Sequence, residues 1–502
     1  MDHGQQVDVK TGFHRSIEGL DRVITAFLFV FALVQPLSIA GTEIAYACAA
    51  LAWLARLAIV RRGVLQSSPL DLPILVYLLL CTISTLLAPL PASSWEGMRK
   101  VSLVFVLLVV AHNIRSVRRA KELVAVLFFS VLVSIAYTGW NYAAGIGLRV
   151  YEPQPDSVFY RAGIHDKDLF LRVDDRFIRT PQEFVKHLEA KPRGEPLRLW
   201  VVHYGSDVAK DAVTFIVPTE ALPRPVSLDM LGARIERGRP YRARGFYSHY
   251  VSYAEVLQLI IALAFGYWLS CRHRWAPAGL GLAALVLVFG VALGATLTRA
   301  SWLAASFSCS VQIWFYVRRR WVRAVLPALL LLAAAGTNMA MRHWRGVSVF
   351  DPREGSSGYR LLMWLDGLRL IREHPWFGVG MHTIRDSWWK FDLAAYRLYG
   401  LRSHFHSTPI QLAVELGLPA LAVWMALMGV YWVMLARLVK RASEQGDAML
   451  HGLTLGLLGG TSGFLVSSVV HYNFGDSLVV LLFWFLAGMA VALRRRLVTM
   501  AA

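Results

Sequence analysis

The chain has 502 residues, of which 56% are hydrophobic and only 17% charged, where a soluble domain is roughly 45–50% apolar and about 25% charged. Its apolar residues fall in blocks of about twenty, the length a bilayer demands, separated by arginine clusters; this excludes a soluble enzyme, a disordered chain, a fibrous repeat and a single-span receptor. The net charge of +19 would point to nucleic acid in a soluble protein, but basic loops that orient a membrane protein account for it, and no nucleic-acid partner is expected.

In chain order the apolar blocks predict about twelve spans, near 22–40, 42–60, 70–90, 98–114, 122–144, 250–270, 276–297, 300–317, 322–340, 409–436, 451–470 and 476–493. The first is long and lacks a small-residue cleavage pattern, so it reads as a retained span. Cys48, Cys81, Cys271 and Cys309 lie in or beside these blocks and match no metal or disulfide spacing. Every second short loop is basic: Arg61 and Arg62; Arg115, Arg118, Arg119 and Lys121; Arg272 and Arg274; Arg318 to Arg320; Lys440 and Arg441; Arg494 to Arg496. By the positive-inside rule both termini are expected on the cytoplasmic side.

Two long segments, about 145–249 and 341–408, then fall on the external face. The chain divides into spans 1–5 (1–144), an inserted domain (145–235), spans 6–9 (236–340), a large external loop (341–408) and spans 10–12 (409–502). The insert carries β-type runs at Leu169–Val173, Leu197–Val202 and Thr214–Val217, with a helical stretch, PQEFVKHLEA, between them. Asp174-Asp175 is a candidate acidic pair for a metal and reads better as a solvated turn. The run Ala162-Gly163-Ile164 followed by Asp168 resembles the A-G-(apolar)-x-x-G-D core of a bacterial PDZ domain, with Lys167 at the usual glycine. The resemblance implies strand addition of a protein C-terminus, with Gly145-Ile146-Gly147-Leu148 as a carboxylate loop; the same four residues read equally as the end of span five. A domain that merely braces or covers the bundle remains open.

No phosphate-cradling glycine loop, H-E-x-x-H or paired CxxC is present. Ionisable residues at span ends are costly near lipid and point to function. Four stretches carry them, all on the external face: RARGFYSHY, LTRASWLAA, SGYRLLMWLDGLRLIREHPWFGVGMHT and HFHSTPIQLAVELGLPA. Guanidinium groups prefer phosphate, and histidine trades a proton near neutral pH. A single arginine reads as an interfacial anchor; three on one face beside a histidine read as a site.

These stretches resemble the O-antigen ligase and polymerase superfamily. Arg242-Ala243-Arg244-Gly245-Phe246 fits its R-x-x-G-x-(aromatic) pattern, and Thr298-Arg299-Ala300 fits S-R-(small) with threonine for serine. Gly358, Arg360, Trp364, Pro375, Gly378 and Gly380 fit its loop pattern, with one residue inserted before the arginine. His406, Gln411, Glu415 and Gly417 fit H-N-x-x-L-Q-x-x-x-E-x-G, with Ser407 for asparagine. A PDZ-like insert is not usual there.

The resemblance implies an all-α polytopic membrane protein of about twelve helices with a small α+β periplasmic insert, in a Gram-negative inner membrane. It implies glycosyl transfer from undecaprenyl diphosphate to lipid A–core oligosaccharide, without cofactor or metal. His406 is the expected general base, and Arg242, Arg244, Arg299 and Arg360 the expected diphosphate ligands. His404 is a rival histidine, Asp476 a second-tier residue, and Glu415 lies inside the tenth span and orients the bundle. His374 and His382 read as loop histidines. A glycan polymerase, a protein O-oligosaccharyltransferase and a non-enzymatic flippase are the alternatives; the last should show midplane charges and interrupted helices.

Overall fold

In the computed structural model the described residues are 2–60, 66–192, 194–203, 213–217, 225–228, 231–345, 355–399 and 404–499. Among them seven helices are long and apolar enough to cross a membrane: Ile39–Val60, Val117–Ala144, Tyr250–Ser270, Pro277–Ala295, Leu418–Glu444, Ala448–Ser468 and Ser477–Val498. The protein is a largely helical, multi-span membrane protein with a small β-sheet domain inserted.

The count of twelve is therefore corrected, and the reasons are local. The helix Asp2–Val34 carries Glu18, Asp21 and Arg22, and Asp21 is fixed by Arg56 at 2.5 Å and Arg115 at 2.7 Å. The helix Asp71–Leu87 has 17 residues. The block 98–114 is broken into Pro91–Val101, a 3-10 turn at Ser102–Val104, and Phe105–Asn113. Four serines and Gln312 leave Arg299–Tyr316 too polar; the expected block 322–340 does lie in one helix, Arg320–Arg345, which bears an internal Pro327 and is not among the seven. The block 409–436 divides at Gly417 into Thr408–Leu416 and Leu418–Glu444.

The chain forms two compact units. Met1–Val131, Ala254–Gly294 and Thr298–Ala502 make up the first, and Leu132–Tyr253 with Ala295–Leu297 the second. In the first, Tyr250–Ser270 and Ala448–Ser468 pack backbone to backbone. A Cβ on Gly266 would stand 2.3 Å from the Gly452 carbonyl oxygen, and one on Gly456 2.6 Å from the Leu263 Cα. Small residues four apart are how helices approach where no water drives them together. Phe464 stacks on Phe483 at 4.4 Å, while Leu280, Leu287 and Val291 of Pro277–Ala295 stay exposed, as a lipid-facing helix requires.

The second unit holds five strands, β1 (Leu148–Tyr151), β2 (Leu169–Val173), β3 (Leu197–Val202), β4 (Val213–Val217) and β5 (Arg234–Arg237), in the antiparallel order β4-β3-β2-β1-β5. The expected runs 169–173 and 197–202 and the helix Pro181–Ala190 have the same bounds in the structure; β4 starts one residue earlier than expected. Along β3 the alternating Leu197, Leu199 and Val201 are buried, the period-two signature of a half-covered sheet. They pack on Leu148, Phe170 and Phe184. Thr180 caps the helix by accepting the Glu183 N–H, and the Glu183 carboxylate accepts the Arg179 N–H just before it.

Two local readings resolve here. Gly145, with φ +82°, donates its N–H to the Asn141 carbonyl, so it terminates the preceding helix. The following β1 pairs with β2 on one side and β5 on the other, so it has no open edge for strand addition; the sheet's edges are β4 and β5. Asp174 and Asp175 do form a turn and Asp175 is exposed, but Asp174 is half-buried. Its carboxylate accepts from the Arg198 backbone N–H at 2.8 Å and from Lys191 at 2.6 Å, and pairs with His187 at 2.9 Å.

The glycine seam generates a test. Gly456→Val should destabilise the detergent-solubilised protein by about 2 kcal/mol or more, because the added branch meets backbone and one helix must shift. Thermal unfolding would show the loss, and an unchanged midpoint would contradict the close packing.

Candidate active site

The glycine turn and the short helix of the histidine stretch build one another. Val379 and Gly380 donate their N–H groups to the carbonyls of Val414 and Glu415, each at 2.9 Å, and Leu418 donates to Pro375 at 2.8 Å. Ser84 donates its hydroxyl to the carbonyl oxygens of Phe377, at 2.7 Å, and Glu415, at 2.9 Å. The crossing leaves no room for side chains: a Cβ on Gly378 would meet Glu415 at 2.5 Å, and one on Gly417 the Trp376 oxygen at 2.2 Å. The two glycines of P-x-x-G-x-G, Gly378 and Gly380, both have positive φ, and a Cβ on Gly380 would meet the Ala88 Cβ at 2.3 Å, so the pattern needs glycine for space and for conformation.

Glu415 thus ends a nine-residue helix rather than sitting inside a span, which corrects its expected place. It is buried, and its carboxylate accepts the His382 backbone N–H at 2.8 Å. Burial pushes its carboxyl up to about 7, against smaller opposing effects of the His382 N–H, Gln411, Lys100 and Arg385. It lines a small cavity with Tyr77, Lys100, His382, Leu412 and Tyr472. His382, left-handed at φ +57°, is pushed down to about 4 by burial and the neighbouring Arg385 and Lys100. His374 is exposed.

His406 adopts φ +50°, a left-handed conformation that costs a non-glycine residue energy and marks functional turns. The Phe405 flank of the turn is held twice. Trp364 donates its indole N–H to the Phe405 carbonyl at 3.1 Å, and Phe405 donates its N–H to Gln411 Oε1 at 2.8 Å. The His406 N–H donates to His404 Nδ1 at 3.2 Å. The two imidazoles lie 4.4 Å apart, with Tyr472 5.3 Å from His404 and Tyr359 edge-on 5.9 Å from His406. The two rival histidines therefore form one cluster.

Beyond the turn lies a polar network that sequence reasoning missed. The Thr408 N–H and hydroxyl both donate to the His471 carbonyl at 3.1 Å, and the same hydroxyl is 3.0 Å from Asn473 Oδ1. Asn473 Nδ2 donates to Ser467 Oγ at 3.0 Å, and Ser467 donates to Glu255 Oε2 at 2.8 Å. The other Glu255 oxygen lies 2.7 Å from His471 Nδ1. All five residues are buried. Glu255 in the span Tyr250–Ser270 was a signal available in the sequence, as an acidic residue in an apolar block.

The arginines lie as follows. Arg360 belongs to the helix Gly355–Glu373, between Tyr359, which touches His406, and Trp364 one turn on, which holds Phe405. Arg299 opens the helix Arg299–Tyr316. In the second unit, Arg242 is buried with its guanidinium 4.0 Å from the Tyr250 ring centre, a cation–π arrangement. Burial lowers the pKa of Arg244, so an anion beside it would offset the cost of its buried charge. Asp476 accepts the Leu478 N–H at 3.1 Å and caps the last helix. Among the described residues, His165, Asp168 and His203 offer three ligand atoms within 4.8 Å of one another. Asp168 already accepts the His165 N–H and pairs with His203 Nδ1, both at 2.8 Å, which accounts for its burial.

These features define a multi-pass membrane protein whose histidine turn opens a short helix, the other end of which is held by a glycine-rich loop. The family described as O-antigen ligase (Wzy_C) matches residues 283–425, so this stretch is an O-antigen ligase domain, and the chain is a membrane enzyme of the glycosyltransferase type. The match includes Arg299, Arg360, His404, His406 and Glu415; Arg242, Arg244, Glu255, His471 and Asp476 lie outside it. No curated protein matches the chain.

The buried Glu415 sets a pH dependence of stability. Its carboxyl rises from 4.5 to about 7 on folding, so its neutral form favours the fold below about pH 4.5. That contribution is lost as pH rises through about 7, a change on the order of 3 kcal/mol. The unfolding midpoint should therefore fall between pH 5 and pH 8 more steeply for the wild type than for Glu415→Gln. Parallel slopes would place the Glu415 proton elsewhere.

Proposed function

We propose that the enzyme transfers a glycan from undecaprenyl diphosphate to a hydroxyl of lipid A–core oligosaccharide on the periplasmic face of a Gram-negative inner membrane. The observation that carries this reading is the left-handed turn at His406, held at its Phe405 flank beside Tyr359 and Arg360, inside the O-antigen ligase domain.

The acceptor hydroxyl attacks the anomeric carbon and passes its proton to His406 as the new glycosidic bond forms. The anomeric carbon–oxygen bond to the diphosphate breaks, and undecaprenyl diphosphate leaves with the electron pair. Direct displacement inverts the anomeric centre. A positioned base contributes roughly 10²–10⁴-fold. The leaving group gains negative charge, so fixed cations stabilise the transition state more than the ground state; Arg299 and Arg360 take this role. The second unit is a PDZ-like domain whose binding role is a C-terminus or none, and membrane lipids surround the bundle.

Purified protein, lipid-linked glycan and three acceptors test this: lipid A–core, a second lipid-linked glycan and a pilin-like peptide. Wild type should glycosylate lipid A–core, and His406→Ala should lose at least about 10²-fold; transfer to either other acceptor instead would keep the chemistry and change the acceptor class. Arg360→Lys should lower kcat, because lysine cannot reproduce the guanidinium fork; wild-type kcat in that variant would remove Arg360 from the diphosphate. Activity should survive EDTA, and loss that magnesium reverses would sink the arginine assignment.

A further inference from the structure

We infer that Glu255 is a positioning residue for this reaction: through His471, Ser467 and Asn473 it holds Thr408, and with it the left-handed turn that presents His406. The inference rests on the reading of His406 as the acceptor base.

The hydrogen bonds have a direction. Asn473 donates to Ser467, and Ser467 donates to Glu255. His471 Nδ1 meets the second carboxylate oxygen. Donors from the loop 471–473 and from the helix Ala448–Ser468 thus converge on one carboxylate that belongs to another helix. Buried acceptors of this kind are costly if left unmade, so the arrangement is all or nothing. The consequence for the site is carried by backbone. His471 and Asn473 stand at the ends of a tripeptide whose middle residue, Tyr472, packs 5.3 Å from His404. The His471 carbonyl receives both donors of Thr408, two residues after His406. The other flank of the turn is fixed separately by Trp364 and Gln411. A strained φ persists only where its surroundings over-determine it; the Glu255 network supplies the fixing on the Thr408 side.

Glu255 has a definite place because the helix pair that bears it is seamed at Gly266, Gly452 and Gly456. That seam sets the separation between Glu255 on one helix and Ser467 on the other. A shift of about 1 Å in a catalytic group can cost on the order of 10²-fold in rate, so a carboxylate that never touches substrate can govern turnover.

The test is a set of variants in the full-length protein, each confirmed as folded by its unfolding midpoint, with kcat and donor KM measured separately. Glu255→Leu should lower kcat about ten-fold or more with donor KM within about two-fold. Glu255→Gln, which keeps an acceptor for His471, should recover part of that loss. Thr408→Val should lower kcat in the same way, and the double variant Glu255→Leu with Thr408→Val should be no worse than Glu255→Leu alone, the non-additivity of residues in one network. If Glu255→Leu does not fold, Glu255→Gln and Thr408→Val carry the test. Wild-type kcat in the folded variants, or losses that multiply in the double variant, would overturn the inference while leaving the His406 assignment standing, provided His406→Ala is inactive. Full activity in His406→Ala would instead overturn the base and this inference together.

Discussion

Everything at this site follows from one constraint: a polar group carried into an apolar bundle must find its partner inside the protein. Water is not there to serve as the alternative, and an unmade bond costs several kcal/mol. Glu255, Ser467, His471, Asn473 and Thr408 satisfy the constraint by pairing with one another. Ser84 and Glu415 do the same for the glycine turn. These two clusters bracket the histidine turn, so the requirement that stabilises the bundle also fixes the geometry of the chemistry. The glycine seam between Tyr250–Ser270 and Ala448–Ser468 belongs to the same logic, since polar side chains on facing helices bond only if the backbones come close.

The sequence was most legible where a repeating physical rule governs it. Short β-type runs located β2 and β3, and the stretch PQEFVKHLEA located the helix of the small domain. The glycine and histidine patterns pointed at segments that meet in space. The span count was the least legible. Twenty apolar residues satisfy a hydropathy reading whether or not they form one helix, and neither the 3-10 interruption at Ser102–Val104 nor the divide at Gly417 lowers the local hydropathy. Serines and Gln312 in Arg299–Tyr316 were overlooked beside its apolar neighbours. The pairing of the Glu255 network was illegible for a different reason: Glu255 stands out as an acidic residue in an apolar block, but its partner His471 lies 216 residues away, and pairing at that range leaves no spacing to read.

In the small domain the residues of the PDZ-like pattern serve the internal order of the sheet. Asp168 occupies the place expected of it and closes the turn before β2. Yet the strand after Gly147 is enclosed by neighbours on both sides, so its backbone groups serve the sheet. Asp174, Lys191 and His187 likewise bind the helix to the sheet. Buried aromatic and aliphatic residues of this unit form their own core, the mark of a domain whose internal order comes from its own sequence.

The divide at Gly417 has a mechanical meaning. The apolar part of Leu418–Glu444, which ends before Arg437, extends about 28 Å, close to a bilayer's hydrocarbon layer of about 30 Å, and spanning helices tilt within that layer. An unbroken helix would transmit each change of tilt to the histidine turn as a lever transmits force. Gly417, jammed against the Trp376 carbonyl while Leu418 is tied to Pro375, makes a fulcrum there instead. The long helix is thus separate from the nine residues that carry the turn, which are fixed by contacts within the protein.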